Sequence, residues 1–265
     1  MTDILPLLAA NFGVVIAAML VFWLISIPLK DVSFIDACWA AGLALMAVSS
    51  FVFGGGAGPR KLMIVSLAVV WGLRLAGYLL WRWRRDGPDK RYVAMVAKAK
   101  GNPHLMTLTN VFLLQGVLLW VVSLPVQLGQ VSPEPAELGV LAFAGAGLAI
   151  VGILFESVGD WQLARFKADP ANRGKVMDRG LWRYTRHPNY FGDLCVWWGL
   201  YAIAAETKPG LFAIVGPAVL TWLLIQFSGA ALLERRLKRS KPEYEDYARR
   251  TSAFIPLPPK RLAEG

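Results

Sequence analysis

The chain has few of the side chains that soluble catalytic and metal centres use most. Only two of its 265 residues are histidines, His104 and His187, and only two are cysteines, Cys38 and Cys195. No Cys/His cluster has ligand spacing, so no metal centre is expected. Both cysteines stand in apolar stretches and read as free, small core residues without a disulfide. A Rossmann G-x-G-x-x-G is missing, so any nucleotide has to be held another way. The GGGAGP run at 54–59 does not replace it. It lacks a strand–helix context and reads as a turn. There is no internal repeat and no low-complexity tract. The N-terminal MTDILPLL lacks a basic leader and a small-residue cleavage site, so it reads as a retained first helix.

What the chain has in excess is apolar length. It is 56% hydrophobic, with a mean hydropathy of +0.47 and eleven tryptophans. Soluble domains sit nearer ~45–50% apolar. Apolar runs of spanning length occur at 4–29, 34–53, 61–81, 107–128, 136–158, 190–206 and 210–233. About 20 apolar residues cross a bilayer core. The expected fold is therefore all-α: a polytopic membrane bundle of about seven helices. Six is the competing count, because the 190–206 run is short. No linker marks a second domain, so 1–265 reads as one.

The net charge is +10, yet nucleic acid is not the partner this charge implies. Of the 28 Lys and Arg, 23 fall in 82–106, 160–190 and 234–265. These segments follow the third, fifth and seventh runs, as the positive-inside rule requires of cytoplasmic loops. The N-terminus is then outside and the C-terminus cytoplasmic. Membrane lipid is the partner this pattern implies, and no obligate protein partner is evident.

Ionisable groups inside spans are functional candidates by default. They are Asp36, Arg74, Glu156, Asp160, Asp193 and Glu234. Glu156 and Asp160 are four apart and share a helix face. Like charges there call for donors beside them, such as a ribose, an amide or the arginines of 183–186. Glu234 precedes Arg235 and Arg236, so an interfacial ion pair competes with a ligand contact. Tyr78, one turn after Arg74, is either an interfacial anchor or a neutral proton donor to a carbonyl oxygen. The loop 160–190 mixes seven Lys and Arg with Gly, Pro and aromatics. That mixture suits a folded cap for a polyanion, since fixed Arg and Lys match phosphates.

The stretch GLWRYTRHPNYFGD at 180–193 carries a specific resemblance. With FIDACW (34–39), GLRLAGYLLWR (72–82), FESVGDWQLARFK (155–167), GKVMDRGLW (174–182) and EYEDYARRTSAFIPLPP (243–259), it resembles the steroid 5-alpha reductase C-terminal-domain family. The similarity is to the family's bacterial branch, often labelled a domain of unknown function. It covers most of the chain.

The resemblance implies a seven-helix reductase that uses NADPH to saturate an enone, usually a 3-oxo-Δ4 steroid, in a bacterial inner membrane. The substrate it implies is an apolar small molecule, and it implies cofactor-binding groups mainly in 155–265. Carried over by motif, it implies cofactor contacts from Arg91, Glu156, Asp160, Lys167, Lys175, Arg186, His187, Asn189, Tyr190, Asp193, Glu234 and Arg235. It implies a proton-donor pair of Tyr78 and a helix-two carboxylate, for which Asp36 is the nearby acid. The sequence departs from the family's eukaryotic Gln-Glu pair at that acid, and from their His-rich seventh helix. The RHPxYxG motif followed by a helix ending in Glu also resembles isoprenylcysteine and phospholipid methyltransferases, which use S-adenosylmethionine.

Overall fold

A computed structural model describes residues 4–54, 58–132, 135, 137–227, 234, 237 and 241–260. Among these residues six helices are long and apolar enough to cross a membrane. They are α1 (Ile4–Leu29), α2 (Ile35–Phe53), α3 (Pro59–Asp86), α5 (Pro103–Val122), α7 (Val140–Ala168) and α9 (Lys208–Gln226). Shorter helices lie between and after them: α4 (Lys90–Ala97), α6 (Leu124–Leu128), α8 (Pro188–Ala204) and α10 (Tyr244–Arg250). The protein is thus an all-helical, multi-pass integral membrane protein. The 190–206 run, expected as a seventh span, is the 17-residue α8. At 1.5 Å per residue it is about 26 Å long, below the ~30 Å hydrocarbon core.

The described chain falls into two compact units, Met1–Ala146 with Leu200–Gly216 and Gly147–Gly199 with Pro217–Gly265. In the first unit α2 is the innermost span. More than half of its apolar window is buried, against 17% for α1. Its residues explain this, because Ala37, Ala40, Gly42, Ala44 and Ala47 are small and buried. Lipid tails are as apolar as leucine, so helices associate through close packing, and small residues allow it. A Cβ at Gly72 of α3 would lie 2.8 Å from the Ala40 carbonyl oxygen and 2.9 Å from the Ala44 methyl. At Gly42 it would meet Leu119 of α5 at 2.5 Å.

Polar side chains in this interior bond one another, as a bilayer demands. The Asn11 amide donates to Ser50 Oγ (2.9 Å) and Gln127 Oε1 (3.1 Å). Gln127 in turn donates to Ser123 Oγ and the Trp120 carbonyl. Near the start of α7, Glu206 accepts from the Gly139 and Ala142 backbone N–H groups and pairs with buried Arg60 at 3.3 Å. These are N-terminal donors that a helix leaves unpaired, and a carboxylate there also meets the positive end of the helix dipole. Burial alone would raise the Glu206 pKa. The two backbone bonds and Arg60 reverse that and lower it.

In the second unit α7 and α8 cross at paired glycines. A Cβ on Gly152 would sit 2.5 Å from the Gly192 carbonyl oxygen, and one on Gly192 would sit 2.7 Å from Glu156 Cβ. Trp198 of α8 donates to Thr221 of α9 at 3.1 Å. This close crossing holds Glu156 against the start of α8, where the 180–193 motif lies.

Candidate functional site

The motif loop is anchored from both sides. Gly180 has φ +58°, a left-handed conformation that favours glycine. A Cβ there would collide with the Gln162 amide. Leu181 N–H donates to Gln162 Oε1 (2.9 Å) and the Trp182 indole to the Gly159 carbonyl (3.0 Å). On the other side the C-terminal segment pairs with the loop. Thr185 bridges Ser252 in parallel, and Leu257 N–H donates to the Tyr184 carbonyl (3.0 Å). The Tyr247 hydroxyl donates to the Trp182 carbonyl at 2.6 Å.

Arg186 is the knot of this arrangement. Its Nε and Nη2 donate to the two Glu234 oxygens, at 2.8 and 3.2 Å. Its Nη1 donates to the carbonyls of Ala248 and Thr251, both at 2.8 Å. His187 is 1% exposed, and its Nε2 lies 3.0 Å from Glu234 Oε1. The His187 ring stacks on Tyr190, with centroids 5.4 Å apart. Burial would raise the Glu234 pKa. Hydrogen bonds with His187 and Arg186 overcome it and pull the value down to about 2. Burial and the Glu234 charge push the Tyr244 phenol up, and burial does the same for Tyr247, so both stay neutral.

Glu156, Asp160 and Asp193 are 3%, 4% and 8% exposed. The sequence placed Glu156 and Asp160 on one face of a helix, and both are indeed turned inward on α7. None of the three acids stands without a partner. Asn189 and Tyr190 open α8 and are half-buried. Lys167 and Lys175 are exposed, and the Lys175 carbonyl accepts from the Lys241 ammonium. An open cavity of about 330 Å³ is lined by Arg186, Glu245, Ala248 and Arg249. Among the described residues no three His, Cys, Asp or Glu side chains converge as a metal would need.

Arg186, expected to reach a cofactor, has its donors committed to Glu234 and two backbone carbonyls. Among the described residues the ion-pair partner of Glu234 is Arg186. Arg235 lies outside the described residues.

The other expected site residues belong to the first unit. Asp36 accepts from the Tyr92 hydroxyl at 2.8 Å and from Arg91 at 3.3 Å. Tyr92 also accepts from the Gln115 amide at 3.1 Å. Arg91, expected on a phosphate, also holds Asp89 at 3.0 Å. Burial would lower the Arg91 pKa. The bond to Asp89 and the Asp36 and Asp89 charges raise it instead, which keeps the guanidinium charged. Tyr78 is half-buried on α3, its ring 5.8 Å from Trp81 and 5.9 Å from the Arg74 guanidinium. Asp36 was read as the partner of Tyr78, but the tyrosine hydroxyl it accepts from here belongs to Tyr92.

A family profile described as "Protein of unknown function (DUF1295)" matches residues 22–251. The chain belongs to this family. Among curated proteins, this DUF1295 chain is 23% identical over 264 residues to "Uncharacterized protein C594.04c" of the fission yeast Schizosaccharomyces pombe. The alignment covers 89% of this chain and 76% of the yeast protein. No solved structure matches the chain.

Sequence reasoning missed Tyr92, Gln115, Arg60 and Glu206 in this DUF1295 protein. Tyr92 had a signal. It stands in the basic KRYV segment three residues after Asp89, where a helix cap turns the chain, and Asp89 does accept from the Arg91 N–H. The others meet partners far off in sequence, from 23 residues for Gln115 to 146 for Arg60 and Glu206, beyond the reach of a local motif.

Proposed function

We propose that this chain is an NADPH-dependent membrane reductase that saturates the activated double bond of an apolar enone, with a 3-oxo-Δ4 steroid as first candidate. The observation that supports it best is the second unit's donor set. Three carboxylates are buried on the helices flanking the motif loop, while Lys167 at the end of α7 and Lys175 on the segment after it stand exposed. A dinucleotide asks for this combination: cations for its phosphates, and carboxylates to accept from ribose hydroxyls and the carboxamide. The residues therefore fit the cofactor. Lys167 and Lys175 hold phosphate, and Glu156, Asp160, Asn189 and Asp193 hold the hydroxyl and amide groups. Tyr190 supplies a ring face. Arg186, His187 and Glu234 bind one another, and so hold the loop in shape.

Bound NADPH supplies the hydride. The chain's part is orientation and charge stabilisation. A tyrosine hydroxyl donates to the enone oxygen and stabilises the negative charge that develops there as the β-carbon is reduced. A solvent proton completes the α-carbon. Tyr78 is the first candidate for that donor. Tyr92 is the second, because Asp36 and Gln115 orient it.

The melting temperature of the purified full chain, measured with NADPH, NADH and S-adenosylmethionine in turn, tests the reading. A ligand at 100 times its Kd adds ~2.7 kcal/mol of stability. NADPH should stabilise most. Stabilisation by S-adenosylmethionine and not by NADPH would favour a membrane methyltransferase instead, a reading to which the convergence of Arg186 and His187 on Glu234 also lends itself. Tyr78→Phe should keep the NADPH shift and lose most turnover. If it turns over normally and Tyr92→Phe does not, the donor is Tyr92.

A further inference from the structure

The last turns of α7 carry a cationic surface that the proposed cofactor site does not use. Twenty residues from Val140, about the length that crosses the hydrocarbon core, reach Gly159. Trp161 follows at once and is 58% exposed. One turn on, the Arg165 guanidinium lies 5.6 Å from the Trp161 ring centroid. Tryptophan prefers the depth of the lipid headgroups, and a guanidinium stacked on it is held at that depth.

The segment that follows is tied back onto these same turns. The Asn172 amide donates to the Phe166 carbonyl (3.1 Å), and Leu181 N–H donates to Gln162 (2.9 Å). The ties fold the segment that carries Arg173, Arg179 and Arg183 back onto the end of α7, which carries Arg165. All four arginines are exposed. None has an ion-pair partner among the described residues. The nearby acids are committed elsewhere: Asp169 accepts from Ala171 and Asn172, and Asp178 pairs with Arg250 at 2.9 Å.

We infer that Trp161, Arg165, Arg173, Arg179 and Arg183 form a docking surface for the anionic headgroups of membrane phospholipids. Three features select a lipid over a free anion. The arginines are exposed and do not line the cavity by Arg186. They adjoin the end of a membrane span. Arg165 also stands in the last turn of α7, where the dipole favours cations but gives a small free anion no backbone N–H groups to bind. The surface holds whether or not the chain is a reductase.

Native mass spectrometry of the full-length protein in detergent, titrated with phosphatidylglycerol or phosphatidylcholine, tests this. The wild type should retain phosphatidylglycerol preferentially. Each arginine near an anionic surface is worth about fivefold in affinity, so Arg165→Gln should lose roughly that factor. The variant with all four changed to Gln should lose about a hundredfold or more, with phosphatidylcholine binding unchanged. If the fourfold variant does not fold, the four single variants carry the test. Unchanged phosphatidylglycerol binding in the variants overturns the proposal. So does its displacement by millimolar inorganic phosphate, which would mark a free-anion site. Displacement by NADPH would assign the arginines to the cofactor.

Discussion

Glu234 ties two residues of the motif loop together, because both Arg186 and His187 bond to it. Glu234→Gln keeps the size and removes the charge. Arg186 would then be left partly buried with a neutral partner. Breaking a fully buried pair costs ~3–5 kcal/mol. Here the side chains are 13% and 18% exposed, so about 2 kcal/mol is expected. Acid should remove the same contribution from the wild type. The Glu234 pKa is lowered from 4.5 to about 2, so its stabilisation is present above 4.5 and fades as pH falls toward 2. Denaturation of wild type and variant should therefore differ fully at pH 6 and converge between pH 4.5 and 2. A gap that widens on acidification would contradict the assigned bonds. The role of Arg186 could not be read from sequence. Two of its acceptors are backbone carbonyls, which no residue type announces.

At the scale of elements, the α7–α8 crossing sets the depth of Glu156 and of the motif. Gly152→Leu would drive a side chain into the Gly192 carbonyl, now 2.5 Å from the position of a Cβ. Overpacking of this kind costs about 1–3 kcal/mol. The expected readout is a lower melting temperature together with weaker NADPH stabilisation. A variant that melts like the wild type would show that the crossing tolerates side chains. The spans themselves were legible, since long apolar runs leave few alternatives. Their ends were less so. The third run was read to 81, whereas α3 continues to Asp86; the fifth was read to 158, whereas α7 continues to Ala168. Hydropathy falls at the first arginines, yet the helix goes on, because long cationic side chains reach water while their stems stay on the apolar surface. The run read as 107–128 is divided after Val122, where Ser123 and Pro125 end one helix and begin a five-residue one.

For the whole molecule, the length of α8 decides the topology. With α8 as a seventh crossing, the termini lie on opposite faces, the C-terminus with the basic segments in the cytoplasm. Reporter fusions at each terminus read this directly. Opposite faces support seven crossings, and the same face would leave six and keep α8 from spanning. The central claim is hydride transfer, and its most direct test follows the hydride. The full-length protein is incubated with NADPH carrying deuterium at the transferable position and an apolar enone, beginning with a 3-oxo-Δ4 steroid. A saturated product with one deuterium on the β-carbon is the predicted result. A product that gains a methyl group from S-adenosylmethionine, while NADPH leaves every enone untouched, would contradict it.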